Sequence, residues 1–221
     1  MREGGSVLKP NFSQLPVCVG DVTLRVARGH FATGHSHINY LIDVTAQKAS
    51  LREAEAVAQQ LFERYLCAAP VDTILCLDGT RVIGACLARR LMQMDGAQAG
   101  RDMYVLREEA DQAGNILVRD NARHMYAGKN RADSGGLFGP PGPPPAGGMA
   151  CVEAYGGRTA GIAAIYSRRT ELDGIAVMSL FDCTDLPDYA SYPPEQCPFC
   201  QQGRELDAVV NSFGYTVMQE I

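Results

Sequence analysis

Val71-Asp72-Thr73-Ile74-Leu75-Cys76-Leu77-Asp78-Gly79-Thr80-Arg81-Val82-Ile83-Gly84-Ala85-Cys86-Leu87-Ala88-Arg89-Arg90-Leu91 is the stretch whose reading decides the fold. Its first part is a short apolar run of strand type. Its last part repeats apolar residues at Ile83, Leu87 and Leu91, the spacing of one helix face. Strand, tight loop and helix form the unit of an α/β fold, and in open sheets of that class ligands sit at the carboxyl ends of the strands. The loop Asp78-Gly79-Thr80-Arg81 has the chemistry for an anion there. Glycine permits close backbone approach, threonine offers a hydroxyl, and a guanidinium takes phosphate oxygens two at a time. The N–H groups of the helix start add to the attraction. The same four residues also fit a plain turn with a solvated arginine.

Upstream, Ser50-Leu51-Arg52-Glu53 has the form of a capping box, and Leu51, Ala54, Val57, Leu61 and Tyr65 follow on one helical face. Strand, helix and strand in this order imply a parallel sheet. Residues 1–20 contain Pro10 and Pro16 and read as an extended lead-in, and Val22 to Val26 alternates as a short strand does. The next segment, Gly29-His30-Phe31-Ala32-Thr33-Gly34-His35-Ser36-His37-Ile38-Asn39-Tyr40-Leu41-Ile42-Asp43, holds three of the four histidines. Their spacing is not that of a helical zinc pair, and no neighbouring carboxylate or cysteine completes a tetrahedral set, so no metal is assigned to them. Such a segment suits hydrogen bonding to a planar heterocycle, or a polar turn that satisfies its own backbone.

Downstream, Met103 to Leu106 and Ile116 to Arg119 read as strands of a hairpin with an exposed, mobile tip over 107–115. The pattern then fails. Five of the twelve prolines fall between 140 and 145, so the tract 131–148 is expected to supply neither a sheet ladder nor a helix. Order resumes with a helix end closed by Gly156, a buried strand from Thr159 to Tyr166, and a turn at Asp173-Gly174 into a strand over 175–181. The tail contains Cys197-Pro198-Phe199-Cys200. That motif is half a zinc site, a redox pair, or a tight turn with two packed thiols, and zinc needs partners from elsewhere, such as Cys183 or a second subunit.

With 221 residues, 46% of them hydrophobic, the chain can bury a sizeable core. A formal charge of −5 gives no general attraction for nucleic acid or an anionic membrane, so phosphate binding has to be local. No apolar run is long enough to span a bilayer, and the start lacks the apolar segment of a signal peptide, which points to a cytoplasmic protein. Cys76, Cys86 and Cys151 lie inside apolar patterns, where free cysteine behaves as a small hydrophobe, rather than in a disulfide framework.

Taken together, the order of these parts resembles the type I phosphoribosyltransferases, and among them the orotate phosphoribosyltransferases. Gly29 to Asp43 looks like the hood segment that closes over the pyrimidine, Val71 to Leu91 like the strand, pyrophosphate loop and helix, and 103–119 like the mobile hairpin. Glu195 to Gly203 resembles a cysteine-containing C-terminal stretch of some members. The resemblance implies an α/β core with a parallel β-sheet flanked by helices, plus a small hood. Residues 1–46 are then lead-in and hood segment, 47–182 the core, and 183–221 a tail that joins the hood. It further implies transfer of phosphoribosyl from phosphoribosyl pyrophosphate to orotate, with Mg2+, in a cytoplasmic homodimer. Asp78, Gly79, Thr80 and Arg81 would hold pyrophosphate; Thr33, Ser36, His37 and Tyr40 would face the base; Arg107 and Arg119 would supply closing, catalytic charge. The family's signature, a strand ending in two acidic residues before a loop that grips the 5-phosphate, belongs at about 131–143. There this chain has a lone Asp133 and the tract glycines, Gly139 and Gly142, to offer. That departure leaves a second reading open, a phosphoribosyltransferase-fold protein that binds nucleotides without catalysis.

Overall fold

A computed structural model describes residues 10–65, 71–94, 102–109, 116–126, 130–133, 146–211 and 214–218. In chain order the elements are β1 (Phe12–Val19), β2 (Val22–Ala32), β3 (His37–Asp43), α1 (Thr45–Ala49), α2 (Leu51–Tyr65), β4 (Thr73–Cys76), α3 (Arg81–Met92), β5 (Tyr104–Arg107), β6 (Asn130–Asp133), α4 (Ala146–Ala154), β7 (Arg158–Tyr166), β8 (Glu171–Leu172), β9 (Ile175–Phe181), β10 (Ser191–Tyr192), α5 (Pro198–Gln201), β11 (Ala208–Asn211) and β12 (Gly214–Val217).

They build two sheets. One runs β5-β4-β6-β7-β9-β8. Its first five strands are parallel, and β8 is an antiparallel edge joined to β9 by a hairpin. The hairpin turn holds Asp173 and Gly174 at φ of 47° and 80°, the left-handed pair that matches strand twist. The other sheet is mixed, with β10-β3-β2-β11-β12 in line and β1 paired to β2. It combines strands from both ends of the chain: β10 lies antiparallel to β3, and β11 parallel to β2. The fold is therefore mixed α/β, and the parallel arrangement is confined to five strands of one sheet.

β4 lies inside the parallel sheet, paired on both edges with β5 and β6. Its residues alternate between two apolar clusters: Ile74 and Cys76 join the main core with Ile83, Leu87 and Leu91 of α3, while Leu75, with Leu77 just beyond the strand, packs against Val152 of α4. Two glycines bring the helices onto it. A Cβ at Gly84 of α3 would overlap the Cys76 sulfur, and one at Gly148 of α4 would stand 3.5 Å from Leu77 Cδ1. The main core runs without interruption into the second sheet, through Leu24, Val26, Phe31, Ile38 and Leu41.

Most local signals act as their chemistry dictates. Ser50 Oγ accepts from the Glu53 N–H at 3.5 Å at the start of α2, and Ala54, Val57 and Leu61 are buried. Leu51, however, is 65% exposed, because it lies in the first turn, ahead of the packed face. Gly156, at φ 75°, ends α4: its N–H donates to Glu153 O at 2.9 Å and the Gly157 N–H to Val152 O at 2.9 Å.

Four expectations are corrected. Residues 12–19 are a strand, with Pro16 tolerated inside a register shift between Gln14 and Cys18 on an outer strand. The first histidine segment is strand as far as Ala32, leaving only 33–36 as the turn. Residues 130–133 do form a sheet ladder, between β4 and β7, and Ala146 to Gly148 are helical, so tertiary pairing overrides poor local propensity. Finally, 103–119 is not a hairpin of two strands among the described residues. β5 pairs in parallel with β4, and beyond it only Ile116 makes an isolated bridge, with the Leu117 N–H donating to Glu109 O at 2.7 Å.

Replacing Gly84 with alanine is expected to destabilise the fold by about 1–3 kcal/mol, the usual cost of overpacking a filled interior. Gly34→Ala, where an added Cβ meets nothing within 4 Å, serves as the control. Denaturant midpoints of the two variants measure the difference, and equal midpoints would show that α3 does not depend on this contact.

Candidate functional site

The strand order itself selects a place for a ligand. From β4 the chain passes through α3 to β5 on one side and later returns to β6 on the other, so the order reverses between β4 and β6. In doubly wound sheets the crevice beyond the strand ends at this reversal binds ligands, because the loops diverge there. Here it is bounded by the loop 77–80 and by the end of β6 at Asp133.

The loop after β4 is a tight, left-handed turn. Asp78 has φ 51° and Gly79 φ 79°, and the Thr80 N–H donates to Leu77 O at 3.1 Å. An added Cβ on Gly79 would meet no atom within 4 Å, so glycine is demanded by the backbone angle rather than by crowding. Thr80 is buried and its hydroxyl donates to Leu77 O at 2.8 Å, so it secures the turn rather than pointing a donor outward. Arg81 opens α3, a helix of 12 residues, and its side chain is exposed. The first N–H groups of such a helix have no partner within it and carry the positive end of its dipole.

A cation not anticipated from sequence joins this turn. Lys48, on α1, donates from Nζ to Asp78 O at 2.9 Å. Burial pushes its ammonium below the ordinary lysine value, while the carboxylates of Asp78, Glu108 and Asp43 pull it back up. No local motif marks Lys48; only the packing of α1 beside α3 brings it there.

The remaining expected site residues are distributed differently. Arg107 ends β5 and is exposed. Arg119 is committed to Glu109, its Nε donating to both carboxylate oxygens at 3.1 Å, and this bond holds Glu109 below the usual carboxylate range. Thr33 and Ser36 bind each other across their own turn: Thr33 Oγ1 lies 2.9 Å from Ser36 O and accepts from the Ser36 N–H at 3.0 Å. Tyr40 is buried, stacked on Tyr189 with 6.4 Å between centroids, and covered by the Arg28 guanidinium at 4.9 Å. Gly139 and Gly142 lie outside the described residues.

His37 belongs to a separate group. It comes together with His30, Cys197 and Cys200, one ligating atom of each lying within 4.8 Å of all the others. His30 Nε2 is 3.1 Å from His37 Nδ1, 3.4 Å from Cys197 Sγ and 3.6 Å from Cys200 Sγ, and Cys200 Sγ is 3.2 Å from His37 Nδ1. The histidines flank the β2–β3 turn, and the cysteines flank the start and middle of α5. The thiols that sequence spacing did not supply thus arrive from the tail. Cys183 is exposed and outside the group, as is His35. All seven described cysteines are free thiols.

No family model and no curated protein matches the chain. Among solved structures, orotate phosphoribosyltransferase of Mycobacterium tuberculosis H37Rv in complex with Fe(III) dicitrate is 17% identical, covering 74% of this chain and 92% of that one at a TM-score of 0.46. The same enzyme in complex with 5-phospho-α-D-ribosyl 1-diphosphate is 17% identical over 66% of this chain and 82% of that one, at 0.43. Adenine phosphoribosyltransferase of Thermoanaerobacter pseudethanolicus is 18% identical over 65% and 88% of the two chains, at 0.47. Among the described residues, no helix is long and apolar enough to cross a membrane.

Proposed function

We propose that the chain is a phosphoribosyltransferase that moves the phosphoribosyl group of phosphoribosyl pyrophosphate onto a nitrogenous base, orotate in the leading reading. The observation that carries it is the left-handed Asp78-Gly79 turn opening α3 at the strand-order reversal, with Lys48 bound to it. The resemblance of the chain's parts, in order, to orotate phosphoribosyltransferases supports the same reading. In such a transfer the bond from the sugar's anomeric carbon to diphosphate breaks and a bond to the base nitrogen forms, through an oxocarbenium-like sugar. The protein's task is to position both reactants and to stabilise charge on the leaving diphosphate. The N–H groups of Arg81 and Val82, the Arg81 guanidinium and the Lys48 ammonium would do this.

Mg2+ takes oxygen ligands, keeps several waters, and is held by one or two carboxylates together with substrate phosphates. Asp78 and Glu108, both felt electrostatically by Lys48, fit that partial role, and an ion there would neutralise diphosphate charge. A homodimer in the cytoplasm completes the proposal. One set of observations favours the second reading, binding without catalysis. Arg119 is paired with Glu109, and Thr33 and Ser36 with each other, so these groups would have to exchange partners to reach a substrate.

The deciding experiment follows orotate absorbance with phosphoribosyl pyrophosphate and Mg2+ present, with the product identified by mass. Formation of orotidine monophosphate is the expected result. A folded protein that binds phosphoribosyl pyrophosphate without turnover would establish the binding-only reading instead.

Arg81→Ala is expected to weaken diphosphate binding by about 1.5–3 kcal/mol, the range for hydrogen bonds to charged groups. Unchanged affinity by titration calorimetry would remove the loop from the site. The Lys48 ammonium loses its proton at a lower pH than ordinary lysine, so the affinity it contributes is complete at low pH and falls as pH rises through that depressed value. Lys48→Arg is expected to move the fall to higher pH. Identical pH profiles in the two proteins would separate Lys48 from the diphosphate.

A further inference from the structure

We propose that His30, His37, Cys197 and Cys200 form a structural zinc site that fastens the C-terminal tail to the β2–β3 hairpin. Tetrahedral zinc has bonds of about 2.0–2.1 Å to imidazole nitrogen and about 2.3 Å to thiolate. A tetrahedron with those radii has edges of about 3.4 Å between nitrogens and about 3.5 Å between nitrogen and sulfur. The group shows 3.1 Å between its nitrogens and 3.2, 3.4 and 3.6 Å between nitrogen and sulfur. Four donors already stand near the corners of the required polyhedron.

Hydrogen bonding alone does not account for this convergence. His30 Nδ1 faces two carbonyl oxygens, Arg204 O at 2.9 Å and Glu205 O at 3.0 Å, and carbonyls only accept. Nδ1 therefore carries the ring proton. In the neutral ring Nε2 has a single lone pair, and it is aimed at three atoms at once: His37 Nδ1, Cys197 Sγ and Cys200 Sγ. One lone pair cannot serve three donors well, whereas a cation at their centre is served by all four groups together. A backbone carbonyl that fixes the tautomer of a histidine is also the usual outer support of a metal ligand.

The surroundings fit a structural role. All four ligands come from protein, which leaves no open position for a substrate. Two thiolates and two neutral imidazoles balance a divalent cation, and the mixed sulfur and nitrogen set in a tetrahedron is a zinc preference. His30 is 1% exposed and Cys197 fully buried. Phe199 lies 5.2 Å from the His30 ring, centroid to centroid, with the Arg204 guanidinium 5.2 Å above it. The backbone of His30 is held on both sides by Asp207, whose N–H donates to His30 O at 2.8 Å and whose Oδ2 accepts from the His30 N–H at 2.6 Å. The cysteines lie on the segment between β10 and β11, the two tail strands that pair with β3 and β2, so a metal there would lock both pairings.

The test uses the full chain, purified without chelator. Elemental analysis is expected to give one zinc per chain. After zinc is stripped, titration with Co2+ is expected to produce the visible bands of tetrahedral cobalt with sulfur-to-metal charge transfer, and the thermal midpoint is expected to fall on stripping and recover on adding zinc. Cys200→Ser alters an exposed residue and is expected to abolish the charge-transfer band of that sulfur and lower the zinc content. Protein that is folded by circular dichroism yet carries no zinc and gives no tetrahedral cobalt spectrum would overturn the proposal. So would a Cys197–Cys200 disulfide in protein from a reducing cytoplasm, or one zinc shared between two chains. These readouts involve no turnover, so they stand apart from the fate of the transferase reading.

Discussion

Parallel neighbours on both edges of β4 impose the constraint on which the other parts depend. A strand paired on both sides in a parallel sheet has no face to give to water, so both faces must be covered by helices. Thr73, Ile74, Leu75 and Cys76 are accordingly no more than 1% exposed. The cover comes from α3 on one side and α4 on the other, each brought onto the strand at a glycine. Once those helices are set, the turn before α3 has nowhere to go but the crevice between β4 and β6, and a left-handed pair of residues is the shortest way to make it. The candidate diphosphate site is a by-product of covering one strand.

The second sheet answers a different need. Its strands β2 and β3 carry a strongly apolar inner face, but β1 pairs only with the first half of β2 and β3 is followed at once by helices, so these strands do not complete the sheet by themselves. The tail supplies the missing strands on both sides, β10 beside β3 and β11 beside β2. The apolar core does not distinguish the two sheets, since residues of each share one cluster. What differs is the polar hardware: charge and helix ends gather at the parallel sheet, and imidazoles and thiols gather where the tail meets the hairpin.

Legibility followed the range of the forces involved. The α2 capping box, the 83, 87, 91 spacing of α3, the glycine stop of α4 and the Asp173-Gly174 turn are all local, and each could be read from a few residues. β1 was hidden by Pro16, which is tolerated only because an outer strand can bulge. β6 was hidden because Asn130-Arg131-Ala132-Asp133 has no strand character of its own and is recruited by β4 and β7. Lys48 could not be seen because nothing in its helix announces a loop 30 positions later. The His and Cys group was half visible. The Cys-x-x-Cys pair was in view, and the signal that would have completed it was the placement of two histidines on either side of a four-residue turn, one at the end of a strand and one at the start of the next.

The pairing of Phe31 and Ala32 with Ala208 and Val209 has a consequence for how the molecule is made. A ribosome delivers β2 long before β11, so the end of β2 waits for its neighbour while all the chain between them is made. During that interval an apolar strand end displays unsatisfied backbone groups, the kind of edge on which other chains add. A transcript cut short before Ala208 would leave that edge open permanently. Ala208 and Val209 therefore guard the end of β2 against such additions as well as completing its sheet.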